Sequence, residues 1–173
     1  MRVIKLLGAV FIISATVGCG AMSIVRLRER ARALESLITA LGIMESEICT
    51  HLTPMEETLE MLSNKAPERT RAFFARSLGR MEELGSVSFS EIWNAAVDES
   101  DELMLTREER DTVKDMGLSL GKYDVNEQAE AISRARRRLD VFLHKAELER
   151  ERDSKVKAFF GLAAGAFAVI LLI

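Results

Sequence analysis

The chain of 173 residues has room for one ordinary domain, because about 130 residues remain once its two apolar ends are set aside. Its formal net charge of -3 argues against nucleic acid as a partner, since nucleic-acid binding requires clustered positive charge. The two cysteines, Cys19 and Cys49, fall in different parts of the sequence and form no disulfide framework, which fits a reducing compartment.

The amino-terminal stretch is apolar. Residues 6–25 carry no charge and are about as long as the 20 residues that span a membrane, so they predict a transmembrane helix over residues 1–25. Ser14 and Gly18 have the spacing that lets membrane helices pack closely. Thr16-Val17-Gly18-Cys19 also resembles a lipoprotein processing site, at which Cys19 would carry the lipid. A retained span is favoured, because the apolar run continues beyond Cys19 and because such sites prefer leucine where Thr16 stands.

Residues 26–157 predict a cytoplasmic α-helical domain, because apolar residues recur at spacings of three and four without the alternation of a strand. Helix one is expected to continue from the first span to about Thr50. Four capping patterns mark later helix starts, at Thr53, Ser88, Thr106 and Asp124. Gly85 and Gly121 are expected to end the third and fifth helices. The sequence therefore predicts an all-α bundle of about six helices, of which the first and last are long.

The carboxyl-terminal end is also apolar. Residues 158–173 carry no charge and predict a second transmembrane helix, in which Gly161 and Gly165 repeat the small-residue spacing. Basic residues flank both spans on the side of the central domain, namely Arg26, Arg28, Arg30, Arg32, Arg150, Arg152, Lys155 and Lys157. Because basic flanks stay in the cytoplasm, we expect a multi-pass protein whose central domain is cytoplasmic and whose termini lie across the membrane.

No motif of the central domain predicts chemistry. Residues 117–123 superficially resemble a phosphate loop, but the spacing between the glycines is wrong and a helix precedes them, so they indicate a helix end and a turn. His51 and His144 have no metal-ligand spacing to another histidine or to a cysteine. The sequence therefore predicts a protein that is not an enzyme and has no catalytic residue, cofactor or metal site.

The densest basic cluster is formed by Arg134, Arg136, Arg137 and Arg138. These four residues spread around a helix, so they cannot all line one face. Some of them are candidates for contact with an acidic partner, and the alternative is a solvated face without a specific partner.

Several segments, taken in order, carry a resemblance to a known family. They are the leucine-rich segment 34–47 ending in Met44-Glu45-Ser46-Glu47, then Thr53-Pro54 before an acidic amphipathic helix, then Glu91-Ile92-Trp93, and finally Leu120-Gly121-Lys122-Tyr123-Asp124. Their order and spacing resemble the stage III sporulation protein AB family over essentially the whole chain. The Thr16–Cys19 segment departs from the family pattern and keeps the lipoprotein alternative open.

The resemblance implies a role in endospore formation. Members of the family sit in the mother-cell membrane around the forespore and belong to a secretion-like channel. Their cytoplasmic domain is similar to that of the type II secretion F protein. This implies a non-enzymatic platform that links a secretion-type ATPase, stage III sporulation protein AA, to the channel's membrane proteins, with a homo-oligomer as a further possibility. The alternative is a lipoprotein or membrane signalling stalk.

Overall fold

The computed structural model describes the backbone of residues 2–121 and 124–172 and the side chains of residues 25–121 and 124–152. The described residues form six α-helices and two short 3-10 helices, with no strand beyond an isolated bridge between Leu84 and Val87. The α-helices are α1 (Arg2–Cys49), α2 (Met55–Lys65), α3 (Glu68–Gly79), α4 (Phe89–Asp98), α5 (Arg107–Gly117) and α6 (Val125–Leu172). The predicted all-α fold, with its first and last helices the longest, is confirmed.

The two predicted membrane segments fall almost wholly outside the described side chains. Among the described residues, no helix contains a stretch that is both apolar enough and long enough to cross a membrane. Of residues 1–25 and 158–173, only the side chain of Val25 is described. The predicted packing residues Ser14, Gly18, Gly161 and Gly165 lie outside the described side chains, as does Cys19. The transmembrane helices therefore stay predictions.

The chain divides into two compact units. One unit comprises Met1–Glu29 together with Lys145–Ile173, and the other comprises Arg30–His144. The second unit holds α2 to α5 with the adjoining parts of α1 and α6. Within this unit α2 packs on α3, α3 on α4, and α4 on α5.

The core of the Arg30–His144 unit is built around Trp93, which is fully buried on α4. Its ring meets Phe73 edge-on, with centroids 4.8 Å apart, and stacks on Phe89 at 6.1 Å. The indole Nε1 donates to the carbonyl oxygen of Val113 over 2.8 Å, so the one polar atom of the ring is satisfied. Gly117 allows this packing, because a Cβ there would lie 2.4 Å from Trp93 Cδ1. The predicted short helix carrying Trp93 thus ties α3, α4 and α5 together.

Three of the four predicted helix caps are confirmed. Ser88 accepts a hydrogen bond from the amide of Glu91 while the Glu91 carboxylate accepts from the amide of Ser88 over 2.8 Å. Thr106 and Glu109 form the same reciprocal pair at the start of α5. The side chain of Asp124 accepts from the amide of Asn126 over 2.8 Å. These caps satisfy amides that the first turn of a helix leaves without a partner.

The predicted capping box at Thr53 is wrong. The residue at the N-cap of α2 is Pro54, and no side chain caps this helix. The Thr53 hydroxyl donates instead to Glu47 Oε2 over 3.0 Å, and the Thr53 amide donates to the Glu47 carbonyl oxygen. Thr53 therefore fastens the loop to the end of α1, and Glu56 stays exposed in the first turn of α2.

Two helix ends also differ from prediction. Helix α3 ends at Gly79, and a 3-10 helix at Met81–Glu83 fills the distance to Gly85, whose φ of 104° closes the turn. Helix α5 ends at Gly117, and a turn continues to Gly121, where φ is 75°. Both glycines sit where the left-handed conformation is needed, but each closes the turn after the helix rather than the helix itself.

Candidate functional site

Arg136 leaves the predicted basic cluster and joins α6 to α1. Its Nη1 lies 2.5 Å from Glu45 Oε2. Its guanidinium lies against Gly42, where a Cβ would come within 3.1 Å of Nη2. The small residue in α1 thus makes room for an inter-helix ion pair, while a contact of Arg136 with a partner stays a prediction.

The other three arginines share an outward face of α6. Arg134, Arg137 and Arg138 are all exposed, and a helical turn of 3.6 residues places them within about 100° of one another. Arg134 pairs with Glu130 at 3.1 Å, and Arg137 donates to the Ser133 hydroxyl over 2.6 Å. Arg138 approaches Asp115 of α5 at 3.9 Å. Exposed pairs of this kind contribute only about 0–1 kcal/mol, so they exchange readily for a partner's carboxylates. The partner-facing role of this face stays a prediction.

A groove of about 220 Å³ runs between α5 and α6 beside these arginines. Its floor is made of the buried side chains Met116, Ala131 and Ala135. Polar side chains form the remaining walls, namely Thr112, Asp115, Ser119, Arg134 and Arg138. The two alanines leave the floor open, because small side chains from one helix do not fill the space beside the facing helix. The groove is therefore a mainly polar cleft with a small apolar floor and with Arg134 and Arg138 on its rim.

No feature of the sequence analysis predicted this groove. The signal available in the sequence was the small-residue pair Ala131 and Ala135, spaced four apart. That pair becomes a cleft only because α5 lies alongside it, which the spacing within one helix does not reveal.

A buried polar cluster fixes the loop after α4. The Ser100 hydroxyl is fully buried, donates to the Ala96 carbonyl oxygen over 2.7 Å and accepts from Arg76 Nη1 over 2.7 Å. Arg76 also makes a two-pronged ion pair with Glu102, in which Nη2 lies 3.2 Å from Oε2. Burial alone would raise the pKa of Glu102, but hydrogen bonds from Arg76 and from the backbone amide, together with the positive charge of Arg76, outweigh it and lower that pKa below its ordinary value. The cluster is a structural clamp between α3 and the loop.

In the described part of the chain, the side chains that could bind a metal ion or act as nucleophiles are not grouped into a site. No group of three or more His, Cys, Asp or Glu side chains there is placed to hold a metal ion. His51 approaches Glu47 at 3.3 Å at the end of α1. Cys49 is a free, half-buried thiol whose pKa is raised by burial and then by the nearby charge of Glu45. Burial and a raised pKa both disfavour the reactive thiolate.

Comparison with known proteins completes the description. The family described as stage III sporulation protein AB matches residues 5–173. A curated relative, stage III sporulation protein AB of Bacillus subtilis (strain 168), is 28% identical over 170 residues, which cover 98% of this chain and 99% of the relative. A solved structure of stage III sporulation protein AB is similar with a TM-score of 0.65 at 25% identity, and the match covers 72% of this chain and 98% of that one.

The resemblance seen in the sequence is thus confirmed, and it extends over both the helical domain and the apolar ends. These matches support a role in sporulation. The chain belongs to the stage III sporulation protein AB family.

Proposed function

We propose that this chain is a non-enzymatic membrane platform of a sporulation-specific, secretion-like channel between mother cell and forespore. The observation that carries the proposal is the family match, which extends over residues 5–173 and therefore includes both apolar ends as well as the helical domain. In this proposal the protein lies in the mother-cell membrane around the forespore, passes it twice and keeps its central domain in the cytoplasm.

The continuity of the two longest helices supports a membrane-mounted platform. Helix α1 contains the uncharged residues 6–25 and ends at Cys49, and helix α6 begins at Val125 and contains most of the uncharged residues 158–173. Each helix therefore contributes both to the domain core and to an apolar end of the sequence. In this proposal the two apolar ends anchor the domain to the membrane.

The proposed partners are the channel's other membrane proteins and the secretion-type ATPase, stage III sporulation protein AA. The outward arginines of α6 and the adjoining groove offer a surface for a protein partner. The domain's role is then to recruit and hold, so we expect binding without turnover.

Cross-linking and co-purification from sporulating cells test the platform. The full chain, tagged and extracted in mild detergent, is expected to recover the ATPase and channel membrane proteins. A variant that keeps both apolar ends but lacks residues 26–157 should lose the ATPase while remaining in the membrane. Recruitment that survives this deletion would contradict the proposal, because the two spans alone would then suffice.

Topology has its own test. A reporter fused after Ile173 is expected to be active only outside the cytoplasm, whereas one inserted in the exposed turn at Gly85 should be active inside.

The lipoprotein alternative predicts instead that Cys19→Ser abolishes lipid labelling and shifts the mature mass. The signalling-stalk alternative predicts a normal channel in a strain that carries only the spans.

A further inference from the structure

Leu52 projects from the loop between α1 and α2. Its side chain is 68% exposed, and its backbone adopts a φ of 55°, which branched and bulky residues rarely do. The loop is held in place, because the amide and the hydroxyl of the neighbouring Thr53 both donate hydrogen bonds to Glu47 of α1. A large apolar side chain held outward by a strained and fastened backbone points to a contact outside its own core.

An acidic face follows Leu52 in the chain, at the start of α2. Glu56, Glu57 and Glu60 are exposed on the first turns of α2, and their spacing places them within about 100° around the helix. None of these three carboxylates makes a hydrogen bond or ion pair within the described part of the chain. Leu52 and the three glutamates together form what we name the acidic knob.

The groove between α5 and α6 is complementary to the acidic knob in shape and in charge. Its volume of about 220 Å³ and its floor of Met116, Ala131 and Ala135 suit one aliphatic side chain. Arg134 and Arg138 line its α6 side, and Arg137 is exposed on the same face of α6 next to them. Arg137 bonds a serine hydroxyl, and the carboxylates that approach Arg134 and Arg138, from Glu130 and Asp115, form exposed pairs that a partner's carboxylates replace at small cost.

We propose that the acidic knob of one copy of this protein docks into the α5–α6 groove of a second copy. Leu52 occupies the apolar floor, and Glu56, Glu57 and Glu60 face Arg134, Arg137 and Arg138. The two surfaces belong to different helices of the same chain, with α3 and α4 packed between α2 and α5. A contact between two different surfaces is head-to-tail, so each added copy presents a new groove and the copies form a ring or a filament.

Cysteine trapping of the full chain in mild detergent tests this contact. In a background with Cys19→Ser and Cys49→Ser, Leu52→Cys alone and Ser119→Cys alone are each expected to stay monomeric under mild oxidation. A mixture of the two is expected to give a dimer, and the chain carrying both cysteines a ladder of larger species. Glu82→Cys, another exposed site, replaces Leu52→Cys in the matched control and should give no dimer with Ser119→Cys.

Charge reversal tests the specificity of the contact. Replacing Glu56, Glu57 and Glu60 with arginine should abolish the mixed dimer, and so should replacing Arg134, Arg137 and Arg138 with glutamate. Mixing the two reversed chains should restore it. Raising the salt from 0.1 M to 1 M shortens the screening length from about 10 Å to about 3 Å. The mixed dimer of the chains without charge reversal should therefore weaken. This measurement does not depend on whether the charge-reversed chains fold.

Several results would overturn the proposal. They are the absence of a mixed dimer, a dimer from Leu52→Cys alone, which would indicate a symmetric contact, and a dimer that neither charge reversal nor salt affects. Cross-linking of the Ser119→Cys chain to a different protein in cell membranes, with no dimer in the purified mixture, would assign the groove to that protein instead.

Discussion

Arg30 of α1 donates to the carboxylate of Glu109 on α5 over 2.5 Å, and the Glu109 side chain is fully buried. The same carboxylate accepts from the amide of Thr106 over 2.7 Å and so completes the cap of α5. One side chain thus joins a helix start to a helix 79 positions away in sequence. A buried carboxylate depends on such partners, because burial without them favours its neutral form.

Arg30→Ala is expected to destabilise the domain by about 3–5 kcal/mol, because it leaves the Glu109 carboxylate buried without its cation. Arg107→Ala, in the exposed first turn of α5, is the matched control and should change stability by less than about 0.5 kcal/mol. The double variant Arg30→Met with Glu109→Leu should recover most of the loss, since apolar replacement of a buried pair is often neutral. Denaturant unfolding of the full chain in mild detergent, followed by circular dichroism, measures all three. Equal effects of Arg30→Ala and Arg107→Ala would contradict the ion pair's role.

The lowered pKa of Glu102 predicts a pH dependence of stability. A carboxyl whose pKa is lower in the folded state contributes stability above its ordinary unfolded pKa and loses it as the pH falls through the folded value. The difference in stability between the parent chain and Glu102→Gln should therefore be largest near pH 7 and shrink toward pH 3. Thermal unfolding at a series of pH values measures it. Glu57→Gln, an exposed change on α2, should leave the parent's pH profile as it is, and an equal profile for Glu102→Gln would count against the clamp.

Ser88→Ala is expected to destabilise the domain by about 1 kcal/mol, because it removes the hydroxyl that accepts from the Glu91 amide. Glu56→Ala should have a smaller effect, although its place in the sequence is that of a capping-box glutamate, because no side chain caps α2. Thermal unfolding midpoints of the two variants provide the comparison. A larger loss of stability for Glu56→Ala than for Ser88→Ala would indicate that Thr53 and Glu56 form a capping box after all.

Gly117→Ala is expected to destabilise the domain by about 1–3 kcal/mol through overpacking, since its Cβ would meet the Trp93 ring at 2.4 Å. Gly79→Ala is the matched control at another helix end, where a Cβ meets nothing within 4 Å. That change should be neutral or stabilising by about 0.5–1 kcal/mol, because alanine loses less backbone entropy than glycine. On thermal unfolding the midpoint of Gly117→Ala should fall while that of Gly79→Ala stays or rises. A midpoint of Gly117→Ala that does not fall would show that the Trp93 ring shifts to accommodate the Cβ.

Local signals in the sequence predicted local structure well. Ser88, Thr106 and Asp124 cap their helices because each bond joins residues only two or three positions apart. Thr53 has the same local pattern, yet a carboxylate of the preceding helix, Glu47, takes its hydroxyl. The pattern could not reveal this competition, because it depends on how the loop returns past the end of α1.

Tertiary pairing escaped prediction for the same reason. Helical spacing indicated that the four arginines of α6 cannot share one face, but it did not indicate that Arg136 pairs with Glu45, which lies 91 positions away. The groove likewise needs α5 beside Ala131 and Ala135. The residues on one face of a helix can be predicted from the sequence of that helix. The residues that pack against this face depend on the packing of the whole domain.

Trp93 has a further consequence for the study of this protein. It is the single tryptophan of the chain, and it is fully buried among Phe73, Phe74 and Phe89. Its fluorescence is therefore an intrinsic reporter of the domain interior, emitting at short wavelength while α3, α4 and α5 stay together and shifting to longer wavelength when water reaches the indole. Detergent, lipid or a partner bound at the surface should leave this emission unchanged, so a spectral shift on binding would identify a rearrangement of the core without any label.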